Sequence, residues 1–233
     1  MPRRHTAAPA GRPGTAGALG VAGLCVIGLA LTWVVAALVP ATHVRDAVAL
    51  YDFTRLSRPS VDALANGLLH LFDPVLYALW AAALVAVALV RRRPRVALAV
   101  AVVTALAPLT AETLKPLLAH PHARIGWRYI DEASWPSGHS TAALALVLCA
   151  VLVAPVRLRP TVAALGATFA AAVGCSLLIL AWHMPSDVFG GYLVAGLWTA
   201  LAMAALRASE TRSRSRGYAR GARAMRARVP QRL

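Results

Sequence analysis

Residues 73–95 read DPVLYALWAAALVAVALVRRRPR, and this stretch decides the fold. From Asp73 to Val90 it is apolar over about 18 residues, the length that crosses the hydrocarbon core of a bilayer. It then stops abruptly on Arg91, Arg92, Arg93, Pro94 and Arg95. The same pattern recurs on both sides. Upstream, a span runs from Gly17 to Val39. Residues 40–72 mix charges, aromatics and aliphatics in a spacing that suits short helices lying in the membrane interface. Downstream, spans are predicted at Val96–Leu118, Ser137–Ala154, Thr161–Trp182 and Ser186–Leu206, with a polar loop at 119–136. The reading is an all-α protein: a polytopic membrane helical bundle of six transmembrane helices forming one domain over residues 15–206. A disordered cytoplasmic N-terminus (1–14) precedes it and an Arg-rich, partly disordered cytoplasmic tail (207–233) follows.

Composition agrees with that reading. Of 233 residues, 59% are hydrophobic and only 14% charged, against about 25% charged in a soluble domain. Mean hydropathy is +0.63. The formal net charge of +15 raises nucleic acid as a partner, but the basic residues flank apolar spans, as orientation signals do. Nucleic acid is therefore set aside. Six spans place both termini on one side, and 18 of the 24 basic residues then fall on the cytoplasmic side. The first apolar run exceeds the h-region of a signal peptide and is read as an uncleaved anchor. Cys25, Cys149 and Cys175 all lie in apolar stretches and give neither a disulfide framework nor a CxxC metal site. The expected location is the cell membrane, multi-pass. The bilayer is the one partner this pattern implies, and nothing in it sets an oligomeric state.

This topology brings three separated segments to the extracytoplasmic face. One holds Lys115, His120, His122 and Arg124; the second is Trp135-Pro136-Ser137-Gly138-His139-Ser140; the third is Trp182-His183-Met184-Pro185-Ser186-Asp187. Phosphoryl transfer needs a nucleophile in line with the leaving oxygen, and cationic or N–H groups around the phosphate. A neutral imidazole can attack phosphorus if an acceptor holds its other ring nitrogen; His183 and Asp187, four residues apart, have that spacing. His139 can protonate the departing alkoxide. Ser137, Gly138 and the His139 N–H open a helix, a ready anion site. Lys115 is the sole lysine beside 23 arginines, which marks a position where a compact ammonium is required. Glu112, one turn earlier, is either its partner or a structural acid. Four histidines near one face raise zinc, but no HExxH-type spacing is present, so neither metal nor cofactor is expected.

These residues resemble the type 2 phosphatidic acid phosphatase (PAP2) superfamily, which includes the vanadium haloperoxidases, over roughly residues 73–206. Pro136-Ser137-Gly138-His139 matches its second motif, His183 and Asp187 its third, and Lys115 begins its first. The resemblance implies a helical core with its site at the outer face. His183 would be the nucleophile, Asp187 its orienting carboxylate and His139 the general acid, with Lys115, Ser137 and Gly138 holding phosphate. The substrate would be a lipid phosphomonoester or diphosphate, hydrolysed without metal. A catalytically weak relative that binds or transfers phosphorylated lipid is the alternative; a vanadate haloperoxidase and a lipid phosphotransferase are further readings. Two motif arginines are replaced: His122, followed by Ala123, stands seven residues after Lys115, and Leu177, beside Ser176, stands six before His183. Arg124, helped by His122 or Arg128, is the expected substitute. Arg124→Ala should then lower kcat/KM on any accepted phosphate substrate by roughly tenfold or more, the worth of one charge-assisted contact; an unchanged value removes Arg124 from the site.

Overall fold

A computed structural model describes residues 14–122 and 129–228, with side chains placed through Arg212. The N-terminal segment expected to be disordered lies, apart from Gly14, outside the described residues, as do Arg124 and Arg128. The described chain is helical with no strand. Its helices are α1 (Thr15–Leu38), α2 (Pro40–Thr54), α3 (Pro59–His70), α4 (Pro74–Val90), α5 (Pro94–Leu117), α6 (Gly138–Val153), α7 (Arg159–Ile179) and α8 (Pro185–Arg228).

Proline sets most of these boundaries. Helices α2, α3, α4, α5 and α8 each begin on one, where the missing N–H costs nothing and the ring prevents the preceding helix from running on. Five described helices are long and apolar enough to cross a membrane, and a sixth crossing is made if α3 and α4 count as one span bent by 56°. The second predicted span, Asp73–Val90, is α4 to within a residue; Pro74 opens it after a turn at Leu71–Asp73, and α3 leads into it. The stretch 40–72, expected as short interfacial helices, forms the two short helices α2 and α3. The basic tail, expected to be partly disordered, continues α8 as helix to Arg228, in keeping with its many Ala and Arg residues.

Helix α8 is the central element, packed against α1, α5 and α6. One apolar cluster joins α2, α3, α6, α7 and α8 through Leu50, Leu69, Ala143, Val173, Leu177 and Val188. A second joins α4, α5, α6 and α8 through Ala88, Val100, Val103, Cys149 and Val194. The outer faces stay apolar and exposed, as Leu24, Leu31, Val90 and Leu165 are, which suits lipid rather than water as the surrounding solvent. At one end, Arg91, Arg93 and Arg159 donate to the last carbonyls of α6 at Leu152, Val153 and Ala154, over 3.0–3.5 Å. Cations there offset the negative end of the helix dipole.

At the other end, α8 lies against the start of α6 so closely that two glycines are required. A Cβ on Gly191 would overlap the Ser137 carbonyl and the Ser140 and Thr141 hydroxyls; one on Gly190 would strike the Trp135 ring. Gly191→Ala should therefore destabilise the protein by about 1–3 kcal/mol, because backbone cannot rotate away. Gly23→Ala on the lipid side of α1, where a Cβ meets nothing, should cost nothing. Thermal unfolding in detergent separates the two.

Candidate active site

The site is built on the first turns of α6 and α8. Ser137 caps α6, its Oγ accepting from the Ser140 N–H at 3.4 Å. The Ser137 N–H donates to the Asp187 backbone carbonyl at 2.9 Å, and the Thr141 hydroxyl is shared between the carbonyls of Ser137 (2.8 Å) and Gly191 (3.1 Å). These bonds tie the start of α6 to the start of α8. Trp135, 1% exposed and joined to Pro136 by a cis peptide, packs under the junction.

The α7–α8 turn supplies the first histidine. Helix α7 ends with Trp182 N–H donating to the Leu177 carbonyl at 2.9 Å, and Ala181 takes a left-handed conformation (φ 53°) that turns the chain back. His183 follows, almost buried, with Nδ1 3.3 Å from Asp187 Oδ2. Asp187 is fully buried, and the same oxygen accepts from the Met184 N–H at 2.9 Å. An ionised carboxylate only accepts, so this contact makes His183 Nδ1 the donor and leaves Nε2 as the nitrogen with a free lone pair.

His139, on the first turn of α6, meets the Trp182 ring edge-on, with centroids 5.7 Å apart. Lys115, Asp73 and Glu112 are the charged side chains near it, and the His183 ring is a further neighbour. Lys115 reaches in from the end of α5, paired with Glu112 at 2.7 Å; that answers the question the sequence left about Glu112. Both groups lie over Gly138, where a Cβ would collide with the Glu112 carboxylate and come to 3.6 Å from Lys115 Nζ. Six of the predicted residues, His183, Asp187, His139, Lys115, Ser137 and Gly138, thus share one end of the bundle.

His122 has a different setting. Its Nε2 lies 3.0 Å from the Ser134 hydroxyl, which in turn bears on the Asp187 carboxylate. Burial holds the His122 imidazole below its ordinary pKa, with the Asp187 charge pulling the other way. His122 thus has its Nε2 engaged by Ser134, on the Asp187 side of the site, while Asp187 Oδ1 is buried without a hydrogen-bond partner among the described residues. The other replaced slot, Leu177, is fully buried in the apolar cluster. His120 packs edge-on against His122 at 4.7 Å and its N–H bonds the Glu132 carbonyl at 3.0 Å, fixing the loop. Among the described residues, no three His, Cys, Asp or Glu side chains are grouped to hold a metal.

The sequence reading missed Asp46. It comes from α2, 140 residues away, and accepts from the Ser186 N–H (3.2 Å) and hydroxyl (2.6 Å), capping α8 from another helix. Burial pushes its carboxyl above the usual range, opposed by the Ser186 bonds and reinforced by the nearby Asp187 charge. Ser134 was missed as well. Neither residue carries a sequence signal beyond its type, since each acts only through a distant segment.

Fold and site together define a helical membrane protein in which a buried His–Asp pair, a second imidazole and an ammonium meet at paired helix starts. Residues 95–210 match the PAP2 superfamily, and the chain belongs to it. The structure is similar to that of a transmembrane PAP2-type phosphatidylglycerolphosphate phosphatase from Bacillus subtilis, with a TM-score of 0.66 at 19% identity, covering 78% of this chain and 94% of that one. No curated protein matches the sequence.

Removing the Asp46 carboxylate should loosen α8 where it matters. Asp46→Ala should cost about 1–3 kcal/mol in unfolding, the penalty for leaving the Ser186 donors unpaired. Asp46→Asn, which keeps an acceptor, should recover most of it. Equal melting temperatures for the wild type and the Ala variant would show that the cap has no effect.

Proposed function

We propose that the protein is an integral membrane phosphatase that hydrolyses a lipid phosphomonoester or diphosphate at the extracytoplasmic face, with both termini cytoplasmic. The observation that carries this is the His183 Nδ1 to Asp187 Oδ2 contact at 3.3 Å beside His139 and the start of α6. With Nδ1 held, His183 Nε2 attacks phosphorus; the P–N bond forms as the bond to the leaving oxygen breaks. His139 delivers its proton to that oxygen. Water then attacks the phosphohistidine, its proton returning to His139, and inorganic phosphate leaves. The N-terminus of α6, with the Gly138 backbone, and Lys115 would stabilise the equatorial oxygens. Arg124 completes the proposed set. Glu112 must swing off Gly138 when phosphate enters, since two anions cannot share that face.

A lipid substrate is supported by a cavity of about 470 Å³ between α1 and α2, lined by Leu31, Val35, Ala36 and Ala49, with Asp46 and Ser186 on its wall. An apolar chain held there would leave its headgroup beside the α8 start. The burial of Leu177 favours one second reading, a catalytically weak relative that binds phosphorylated lipid without turning it over.

The two readings part on turnover. Protein purified in detergent with EDTA should release phosphate from at least one of phosphatidate, phosphatidylglycerol phosphate or an isoprenyl diphosphate. His183→Ala and His139→Ala should each lower kcat by at least a hundredfold, with the melting temperature kept. Full activity in His183→Ala would sink the mechanism; no release from any of these substrates would leave the binding reading in its place.

A further inference from the structure

The end of the bundle opposite the histidines carries a second concentration of charge. A cavity of about 550 Å³ opens there between the starts of α1, α5 and α7, the end of α6 and the later turns of α8. Arg92, Arg93, Arg95, Arg159 and Arg207 line it, and among the described residues Glu210 is its one acidic lining residue. Helix α5 begins at this cavity with Pro94 and reaches the histidine end at Lys115, about 30 Å away at 1.5 Å per residue. The two sites are therefore separate.

Three features make this more than a set of orientation charges. First, the positive charge cannot be shed. A crowded lysine can lose its proton, but guanidinium stays charged under all ordinary conditions, and the cavity sets one carboxylate, Glu210, against five guanidinium groups, so a bound anion would lower the remaining repulsion. Second, part of the wall is fixed in place. Arg93 and Arg159 are anchored on the carbonyls of Leu152, Val153 and Ala154, and Arg207 donates to the Gly14 carbonyl at 3.3 Å. Third, Arg92 has φ 54° in the turn that ends α4, where Arg93 N–H bonds the Ala88 carbonyl at 2.9 Å. Glycine fills such a position without strain. An arginine there strains the backbone, so its side chain serves something the turn itself does not need.

We propose that this cavity binds the phosphate of an anionic phospholipid headgroup, a second lipid site apart from the histidine cluster. Planar guanidinium forks fit phosphate oxygens in pairs, and the cavity lies where the helices end, at the level of the headgroup layer. Free phosphate offers the same chemistry, and the experiment separates the two sources.

The full-length protein, depleted of lipid in a neutral detergent, is melted with dihexanoyl phosphatidylglycerol, dihexanoyl phosphatidylcholine or inorganic phosphate at equal concentration. Phosphatidylglycerol should raise the melting temperature, and the other two should not. Arg92→Gly/Arg207→Gln should at least halve that gain, whereas His183→Ala and the distant Arg55→Gln/Arg58→Gln should keep it. Arg92→Gly alone relaxes the turn, so it should fold, melt no lower than the parent without lipid, and still lose part of the gain. A gain unchanged in both Arg92 variants, or matched by phosphatidylcholine, or lost only in His183→Ala, overturns the site. An equal gain from inorganic phosphate overturns the lipid assignment.

Discussion

The hydrogen bond from the Ser137 N–H to the Asp187 carbonyl fastens together the first turns of α6 and α8, two helices distant in sequence. At α8 the first N–H groups are taken, since Pro185 has none, the Ser186 N–H bonds Asp46 and the Val188 N–H bonds the Met184 carbonyl, so what the two helix starts share is the positive end of a dipole. Brought side by side, they create a region that favours an anion before any charged side chain is counted. The bond is reachable because Gly190 and Gly191 leave α8 without side chains on that face, so its backbone can settle onto Ser137, Ser140 and the Trp135 ring. The buried His183–Asp187 pair sits inside this junction, and the Met184 N–H on Asp187 Oδ2 holds its geometry.

Around the junction, polar groups come from elements with little else to contribute. Asp46 on α2 holds the Ser186 end of α8 from outside the region that matches the PAP2 superfamily. Ser134 and His122 back Asp187 from the loop before α6. A buried carboxylate that is neither paired nor hydrogen-bonded would be driven toward neutrality, so this surrounding shell is what keeps Asp187 able to orient an imidazole. At the far end, arginines cap α6 and line the second cavity, so α8 contributes to a charged site near each end of its span.

The two substituted motif positions have opposite fates. Leu177 is absorbed into the apolar cluster with Val173 and Val188, where a guanidinium would have to be buried without a partner. His122 remains polar but works through Ser134, on the Asp187 side. Cationic character over Gly138 therefore rests on Lys115 among the described residues near that glycine, and Glu112 neutralises it in the absence of an anion.

Much of this was legible in the sequence because lipid is an exacting solvent. A helix that must satisfy its own backbone in hydrocarbon declares itself as an unbroken apolar run, and prolines mark where α2, α3, α4, α5 and α8 begin. The pairing of His183 with Asp187, four apart, and Ser137-Gly138-His139 at a helix start were equally readable, since their placement depends on local spacing. The cap from Asp46 to Ser186, the seating of Ser134 and His122 beside Asp187 and the gathering of five arginines around one cavity were decided by tertiary structure alone. Each is a contact between segments far apart in the chain, and no local periodicity encodes which polar group a distant helix will meet once the apolar faces have packed.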